Sequence, residues 1–488
     1  MNVHHYGSSR HVAVIGGGLA GLAAAVAFCE RGWRVSLFES RRQLGGRAGS
    51  FVDSTTAEIT DHCQHISLGC CVNFQDFCRR TGMAKFFYRD RKLTFIGYDG
   101  RQSTVRGVRF LPAPLHLLPG LCRLKHLPLF ERFTIAQTLW RMARIRPTDI
   151  SRDCSMEKWL RQQGATQQAS EEFWSVILVS ALAERLDRIS FVDARKVFVE
   201  GFMANSAGYE LQVPAVPLGS MYQDYLVRWL EDRAATCHLA TPVKEIIING
   251  SSVQAIELND GSQHRFDGYV LALPWKRVKE VVPAESGQLG AQLTGIDQIE
   301  SSSITGVHLW FDRPITELRH AVIVGRLSQW LFSRGSRKDL GPQNPAGHYY
   351  QVVISASHIL NEYCRHDVIE QVQEDLRSIL PEARHADLIH ARLVTQRDAV
   401  FVVPSNPASC RPDQQTALDN LALAGDWTNT GWPATMEGAV RSGYLAAEVL
   451  LQACGDCTST FVSEQKYGWL ARWFLKENLN RLQECTVN

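Results

Sequence analysis

Residues 11–40, HVAVIGGGLAGLAAAVAFCERGWRVSLFES, constrain this chain more than any other stretch. Val12 to Ile15 is an apolar run that reads as a buried strand. Gly16, Gly18 and Gly21 then fill the three glycine positions of G-x-G-x-x-G, with Ala20 between them. Leu22 to Arg31, rich in Ala, Leu and Val, reads as a helix stopped at Gly32, where a left-handed cap costs little only for glycine. Val35, Leu37 and Phe38 make a second strand with Glu39 at its end. Strand, turn, helix and strand form one βαβ unit. Its glycines let a pyrophosphate approach the backbone, and its helix N-terminus supplies N–H groups and partial positive charge. Glu39 sits where a carboxylate can bind both hydroxyls of an adenosine ribose and would repel a 2′-phosphate. The unit therefore suits FAD or NAD rather than NADP.

The 488 residues leave room for two or three domains, and a hydrophobic fraction of 45% fills large cores. A formal charge of +2 gives no global reason to expect nucleic acid. Thirteen cysteines, odd in number and scattered, read as free thiols, and the polar residues 1–10 do not resemble a signal peptide. Both point to a cytoplasmic chain. No metal site is expected. Cys454 and Cys457 lack the second ligand pair that zinc needs, and His62 and His65 lie three apart in a non-helical stretch. No apolar stretch reaches the ~18 residues needed to span a bilayer.

Immediately after Glu39 comes RRQLGGRAGSFV, where Gly45 and Gly46 give a turn and Arg47 a permanent cation able to neutralise a pyrophosphate. G-x-G-x-x-G, an acid and then L-G-G-R together resemble the flavin amine oxidase and phytoene desaturase superfamily. The resemblance implies FAD and an α/β architecture: a Rossmann-type FAD-binding domain with a β-meander, plus an interleaved α+β substrate domain. Asp61-His62-Cys63-Gln64-His65 is similar to the D-x-G-Q-H segment of the bacterial hydroxysqualene dehydroxylases, matching at Asp61, Gln64 and His65, with Cys63 in place of the glycine.

Tyr98-Asp99-Gly100 marks a hairpin. Residues 111–150 mix Leu, Phe, Trp and Met with Arg, Lys and His, and are almost free of acids. They read either as a helical domain with a basic face or as a patch that enters a membrane interface. Residues 153–232 read as helices and loops, with Glu172-Phe173-Trp174 leading into Val176–Leu182 and an extended segment at Pro214–Gly219. From Thr241 the period becomes two: Val243–Ile248, Val253–Leu258, Gln263–Phe266 and Tyr269–Leu273, with turns at Asn249-Gly250 and Asp260-Gly261, read as an antiparallel meander. In the superfamily the meander belongs to the FAD domain, and Val243 would meet the adenine through its backbone. Residues 304–312, 348–356 and 388–403 read as strands flooring a pocket, with a helix near 366–380. Trp310, Trp330, Phe332, Tyr349 and Tyr350 are candidates to line it.

Leu421–Ala424 is a second buried strand, ended by Gly425-Asp426, and an apolar helix starts at Thr435, Met436 and Glu437. In the superfamily the matching Asp holds the ribityl chain, and the helix start faces the flavin N1–C2=O edge. There a helix dipole stabilises the charge of reduced flavin. The tail, 465–482, carries Trp469, Trp473, Phe474 and Lys476 on an amphipathic pattern that suits either an interfacial anchor or a surface helix.

The resemblance divides the chain into FAD-binding parts 1–75, 236–300 and 416–452, a helical substrate part 76–235, a substrate sheet 301–415 and a tail 453–488. It implies reductive removal of the allylic hydroxyl of hydroxysqualene to give squalene, a hopanoid precursor, with hydride from flavin N5 and a separate, unidentified reductant. Asp61, Gln64 and His65 are the candidate acid or polar cradle for the leaving hydroxyl. His65 has the unperturbed pKa best placed for proton donation, and Asp61 is its candidate orienter. Two other readings stay open. One is a carotenoid or phytoene desaturase moving hydride the other way. The other is a prenyl-lipid-binding protein without redox chemistry.

Overall fold

The computed structural model describes residues 10–149, 154–336, 347–403 and 410–475. The βαβ unit forms as strand His11–Ile15, helix Leu19–Glu30 and strand Arg34–Phe38. The helix begins three residues before Leu22 because Gly18 is already extended as its N-cap, at φ −75° and ψ 176°. Gly16 takes φ +112°, and a Cβ there would lie 2.4 Å from the Ala272 carbonyl oxygen, so only glycine fits this turn.

Five parallel strands make the first sheet, in the order Ala235–His238, Arg34–Phe38, His11–Ile15, Gly268–Leu271 and Leu421–Leu423. Expecting Tyr269–Leu273 in the antiparallel meander was wrong. Gly268–Leu271 leaves the meander and pairs in parallel with His11–Ile15 on one side and Leu421–Leu423 on the other. All four of its residues are buried, as a strand covered on both faces requires, whereas a meander strand buries one face. The meander itself keeps three strands, Val243–Asn249, Ser252–Leu258 and Gln263–His264.

Helix Met436–Ala453 packs on helix Leu19–Glu30 at very short range. A Cβ on Gly443 would lie 2.2 Å from the Ala20 carbonyl oxygen and 2.9 Å from the Ala23 Cβ. Five of the twelve residues of the facing helix are alanine, and the two backbones approach each other directly.

The second lobe is a seven-stranded sheet in the order Leu388–Val402, Glu300–Phe311, His348–Ser355, Trp330–Ser336, His320–Ile323, Lys92–Ile96 and Gln102–Arg106. The last two are the hairpin around Tyr98-Asp99-Gly100. Helix Arg365–Ile379 covers one face, burying Val368, Val372, Leu376 and Ile379 against Val307, Leu309, Val352 and Ile354. The opposite face meets the helical lobe, which includes Leu129–Arg144, Met156–Gln162, Ser175–Leu182 and Phe191–Phe198. Phe191–Phe198 runs on into a wider turn, Val199–Met203, of the π type often found at functional sites.

After Ala453 the chain returns across both lobes. Val462 exchanges hydrogen bonds with the Asn73 side chain, and a short helix, Trp469–Phe474, packs Ala471 against Ala113, Ala143, Val199 and Ala204. Lys476 lies outside the described residues. No helix among the described residues is long and apolar enough to cross a membrane.

Replacing Gly443 with Val forces the two helices apart and should cost about 3 kcal/mol of stability, at the upper end for overpacking. Denaturant titration of the variant beside the wild-type protein measures this.

Candidate active site

The first glycine turn is an open cradle. Gly18 and Gly45 form an isolated parallel bridge between the two glycine turns, and the Gly45 N–H donates to the Gly17 carbonyl at 2.8 Å. No atom lies within 4 Å of where a Gly18 Cβ would sit. Helix Leu19–Glu30 has no side-chain cap and no acid in its first turn, so its leading N–H groups face that space without an acceptor of their own. This donor set fits a dinucleotide diphosphate. The Glu39 carboxylate borders the cradle. One oxygen accepts from the Gly17 N–H and the other from the Arg41 N–H, both at 2.8 Å, which fixes the acid while leaving lone pairs on each oxygen. Thr241 N–H donates to the Glu39 carbonyl at 2.9 Å, so the segment leading into Val243 runs beside the acid.

Residues from the far end of the sequence complete the same region. Arg47 forms an ion pair with Asp426, linking the L-G-G-R turn to the Gly425-Asp426 turn. Arg47 also donates to the Ala399 carbonyl at 3.2 Å. Thr435 caps helix Met436–Ala453 by accepting from the Gly438 N–H at 3.0 Å, which leaves the Met436 and Glu437 N–H groups at an open helix start. The Glu437 side chain turns away from that start. It accepts from the backbone N–H groups of Asn73 and Phe74, at 3.2 and 2.8 Å, and caps helix Val72–Arg80 from outside. Burial pushes its pKa up.

Arg411 had no signal in the sequence. It is half-buried, and it donates to the carbonyls of Asp426, Thr428 and Trp432 at 3.0, 2.6 and 2.8 Å. Its fork holds the whole loop between the strand and the helix, and a lone arginine outside any motif gives no hint of that.

The Asp61 turn differs from the expectation. Asp61 is buried, and one carboxylate oxygen accepts from Ser50 Oγ at 2.6 Å and the Leu218 N–H at 2.8 Å. The other accepts from Arg334 Nη2 at 2.6 Å. Asp61 therefore does not orient His65; its oxygens are committed to the turn and to Arg334. His65 Nδ1 lies 2.9 Å from the Cys63 carbonyl, and burial lowers the imidazole pKa, favouring the neutral ring. Gln64 Oε1 accepts from the same Arg334 Nη2 at 3.2 Å. Of the three, Gln64 alone lines the adjoining cavity.

That cavity runs between the sheet and the helical lobe. Most of its wall is apolar: Ile66, Leu93, Phe95, Val176, Ile177, Val197, Phe202, Leu211, Trp330 and Phe332. Trp330 and Phe332, two apart on one strand, stack with ring centroids 5.4 Å apart. The other expected aromatics do not line it. Trp310 and Tyr349 pack on each other at 4.9 Å, and Tyr350 lies in the core beneath helix Arg365–Ile379. At one end the wall becomes polar. Trp432, Pro433, Thr435, Met436 and Glu437 meet Lys196 and Glu200 there. Lys196 Nζ donates to Glu464 Oε1 at 3.1 Å and lies 4.8 Å from the Trp432 ring centre. Tyr467 Oη donates to Glu200 Oε1 at 2.9 Å. Lys196, Glu200, Glu464 and Tyr467 carry no motif: Lys196 sits in an ordinary amphipathic helix, Glu200 in the wide turn that continues it, and the last two in the tail.

Two helix starts from opposite ends of the sequence, tied by the Arg47–Asp426 pair and lying beside a largely apolar cavity, are the arrangement of a dinucleotide-binding flavoprotein. The sequence model of flavin containing amine oxidoreductases matches residues 19–451. A hydroxysqualene dehydroxylase of Zymomonas mobilis is 24% identical over 446 residues, covering 90% of this chain and 98% of its own. A zeta-carotene desaturase of Arabidopsis thaliana is also 24% identical, over 92% of this chain and 87% of its own. A crystal structure of an oxidoreductase from Methanosarcina mazei superposes with a TM-score of 0.67 at 16% identity, covering 89% of this chain and 98% of that one. The chain belongs to the flavin containing amine oxidoreductase family. It is an FAD-dependent oxidoreductase of the amine oxidase and desaturase type.

Asp61→Asn and Arg334→Met should each lower the unfolding free energy by about 3 kcal/mol, because each breaks the ion pair between the buried Asp61 and the largely covered Arg334. The double variant should fall well short of the sum. A double-mutant cycle by urea titration checks both.

Proposed function

We propose that this enzyme reductively removes the allylic hydroxyl of hydroxysqualene, giving squalene. The observation that carries the reading is the asymmetry of the cavity. A long apolar wall ends in Lys196, Glu200 and Glu437, all buried. Burying charged groups against pure hydrocarbon is costly, and a substrate with one hydroxyl on a long polyprenyl body meets both halves of such a wall. The 24% identity to a hydroxysqualene dehydroxylase supports the same substrate class.

In this reading Gly16, Gly18, Ala20 and Gly21 present the helix start to the FAD pyrophosphate, with Gly45, Gly46 and Arg47 closing over it. Glu39 holds the adenosine ribose and Val243 the adenine. Gly425 and Asp426 would hold the ribityl chain, and the open helix start at Thr435, Met436 and Glu437 would hold the flavin ring. Bound and reduced, FAD would supply hydride chemistry and would need an external reductant. The chain's own residues shape the reaction around that transfer. Trp330, Phe332 and Trp432 exclude water and offer π faces to positive charge developing on the carbon. Gln64, fixed by Arg334, is the member of the Asp61-Gln64-His65 turn that reaches substrate, and Asp61 and His65 hold that turn in shape.

A surface feature supports contact with the membrane where such a substrate dissolves. Phe110, Leu129, Phe130 and Phe133 are exposed, and so are Trp469 and Trp473. The Trp140 and Phe474 rings pack at a tilt with centroids 5.2 Å apart, which joins the two segments into one face. Arg109, Arg123, Arg141, Arg144 and Arg472 are exposed on the same segments. Apolar rings with arginines around them suit an anionic bilayer surface.

Anaerobic protein reduced with dithionite and given hydroxysqualene should yield squalene. Oxidised protein given phytoene or squalene should leave it unchanged. A desaturated product and no squalene would instead make this a desaturase. In a separate measurement, the protein should sediment with phosphatidylglycerol vesicles, and the Phe130→Ser/Trp473→Ser variant should lose most of that binding. Equal sedimentation of both forms removes the membrane reading.

A further inference from the structure

A leaving hydroxyl needs a proton, and the Asp61 turn is poorly equipped to give one. Asp61 is held as the partner of Arg334, and the His65 ring is disposed to be neutral. The polar end of the cavity offers a better group. Glu200 sits on the wide turn Val199–Met203, lines the cavity beside Gly201, and is 7% exposed. Lys196, one turn earlier, lines the same end, next to Trp432 and the start of helix Met436–Ala453.

The C-terminal segment holds both side chains in place. Tyr467 Oη donates to Glu200 Oε1 at 2.9 Å, and Glu464 Oε1 accepts from Lys196 Nζ and from Trp432 Nε1, both at 3.1 Å. The carboxyl is therefore oriented from one side by a phenol and kept beside an ammonium that is itself tethered.

We propose that Glu200 is the proton donor to the departing hydroxyl of a polyprenyl allylic alcohol in this cavity, with Tyr467 and Lys196 as its positioning residues. The assignment rests on the dehydroxylation reading above. The allylic C–O bond breaks with its electron pair going to oxygen. That oxygen takes the Glu200 proton and leaves as water. The carbon receives two electrons and a proton as hydride from the reduced cofactor, and the Glu200 carboxylate regains its proton from solvent. Recharging the cofactor requires a two-electron reductant, for which dithionite serves in vitro.

The charged and titratable groups that face Glu200 come from four elements. Lys196 and Arg195 lie on its own helix, Glu464 and Tyr467 on the C-terminal segment, Arg441 on helix Met436–Ala453, and Cys70 on the turn before helix Val72–Arg80. Burial pushes the Glu200 pKa up and the Glu464 charge reinforces it, while Lys196, the Tyr467 hydrogen bond and Arg195 oppose. Turnover should therefore be highest where the carboxyl keeps its proton and fall as pH rises through its pKa.

The test is single-turnover squalene formation by dithionite-reduced, FAD-loaded protein between pH 5 and 9. Glu200→Gln should lower the rate at least about 100-fold with flavin content unchanged, the scale of a lost general acid. Tyr467→Phe removes a hydrogen bond that favours the carboxylate, so its falling limb should move to higher pH. Wild-type protein that makes squalene while Glu200→Gln stays within threefold of it overturns the assignment and leaves the dehydroxylation reading standing. Wild-type protein that makes no squalene overturns that reading, and this assignment with it. If Glu200→Gln fails to load flavin, the Tyr467→Phe profile decides, and an unmoved limb overturns the assignment.

Discussion

The direct contact between helix Leu19–Glu30 and helix Met436–Ala453 governs the rest of the molecule. Each helix begins at one end of the cofactor region, and their crossing at Gly443 and Ala20 sets how far apart those two starts lie. A larger residue at the crossing separates them, and no local adjustment in either glycine turn restores the spacing, because close-packed backbones transmit displacement. The Arg47–Asp426 pair then ties together the two turns that the crossing has brought within reach.

Much of the nucleotide lobe was legible because its chemistry is local. A glycine that must take φ +112°, an acid at a strand end and an uncapped helix start leave marks within a few dozen residues. The strand Gly268–Leu271 was misplaced because sequence continuity suggested a fourth meander strand. The feature that decides its sheet is burial on both faces, which a four-residue stretch with a single leading glycine states only weakly. The candidate site was legible in part. Asp61, Gln64 and His65 stand out as a polar cluster, yet their partner Arg334 lies far along the chain in an unremarkable strand. Arg411 and Glu200 are equally silent, because their roles exist only once distant carbonyls, a phenol and an ammonium converge on them.

In the proposed dehydroxylation the cavity meets two demands that conflict. A long terpenoid needs a dry apolar wall, while loss of a hydroxyl needs polar groups inside it. Concentrating Lys196, Glu200 and Glu437 at one end, each with partners of its own, confines the desolvation cost to a small region. It also gives the pocket a direction, so a chain with a polar group at one carbon has a preferred way to lie in it.

The parallel sheet collects its strands from positions as far apart as residues 11 and 423, and Glu464 and Tyr467 reach the cavity from later still. A ribosome-bound chain thus lacks the fifth strand, the second helix start and the closing carboxylate until nearly all of it has been synthesised. Prosthetic-group capture is consequently completed late in biogenesis, and N-terminal fragments, however well they carry the glycine turn, lack the second helix start that meets the pigment.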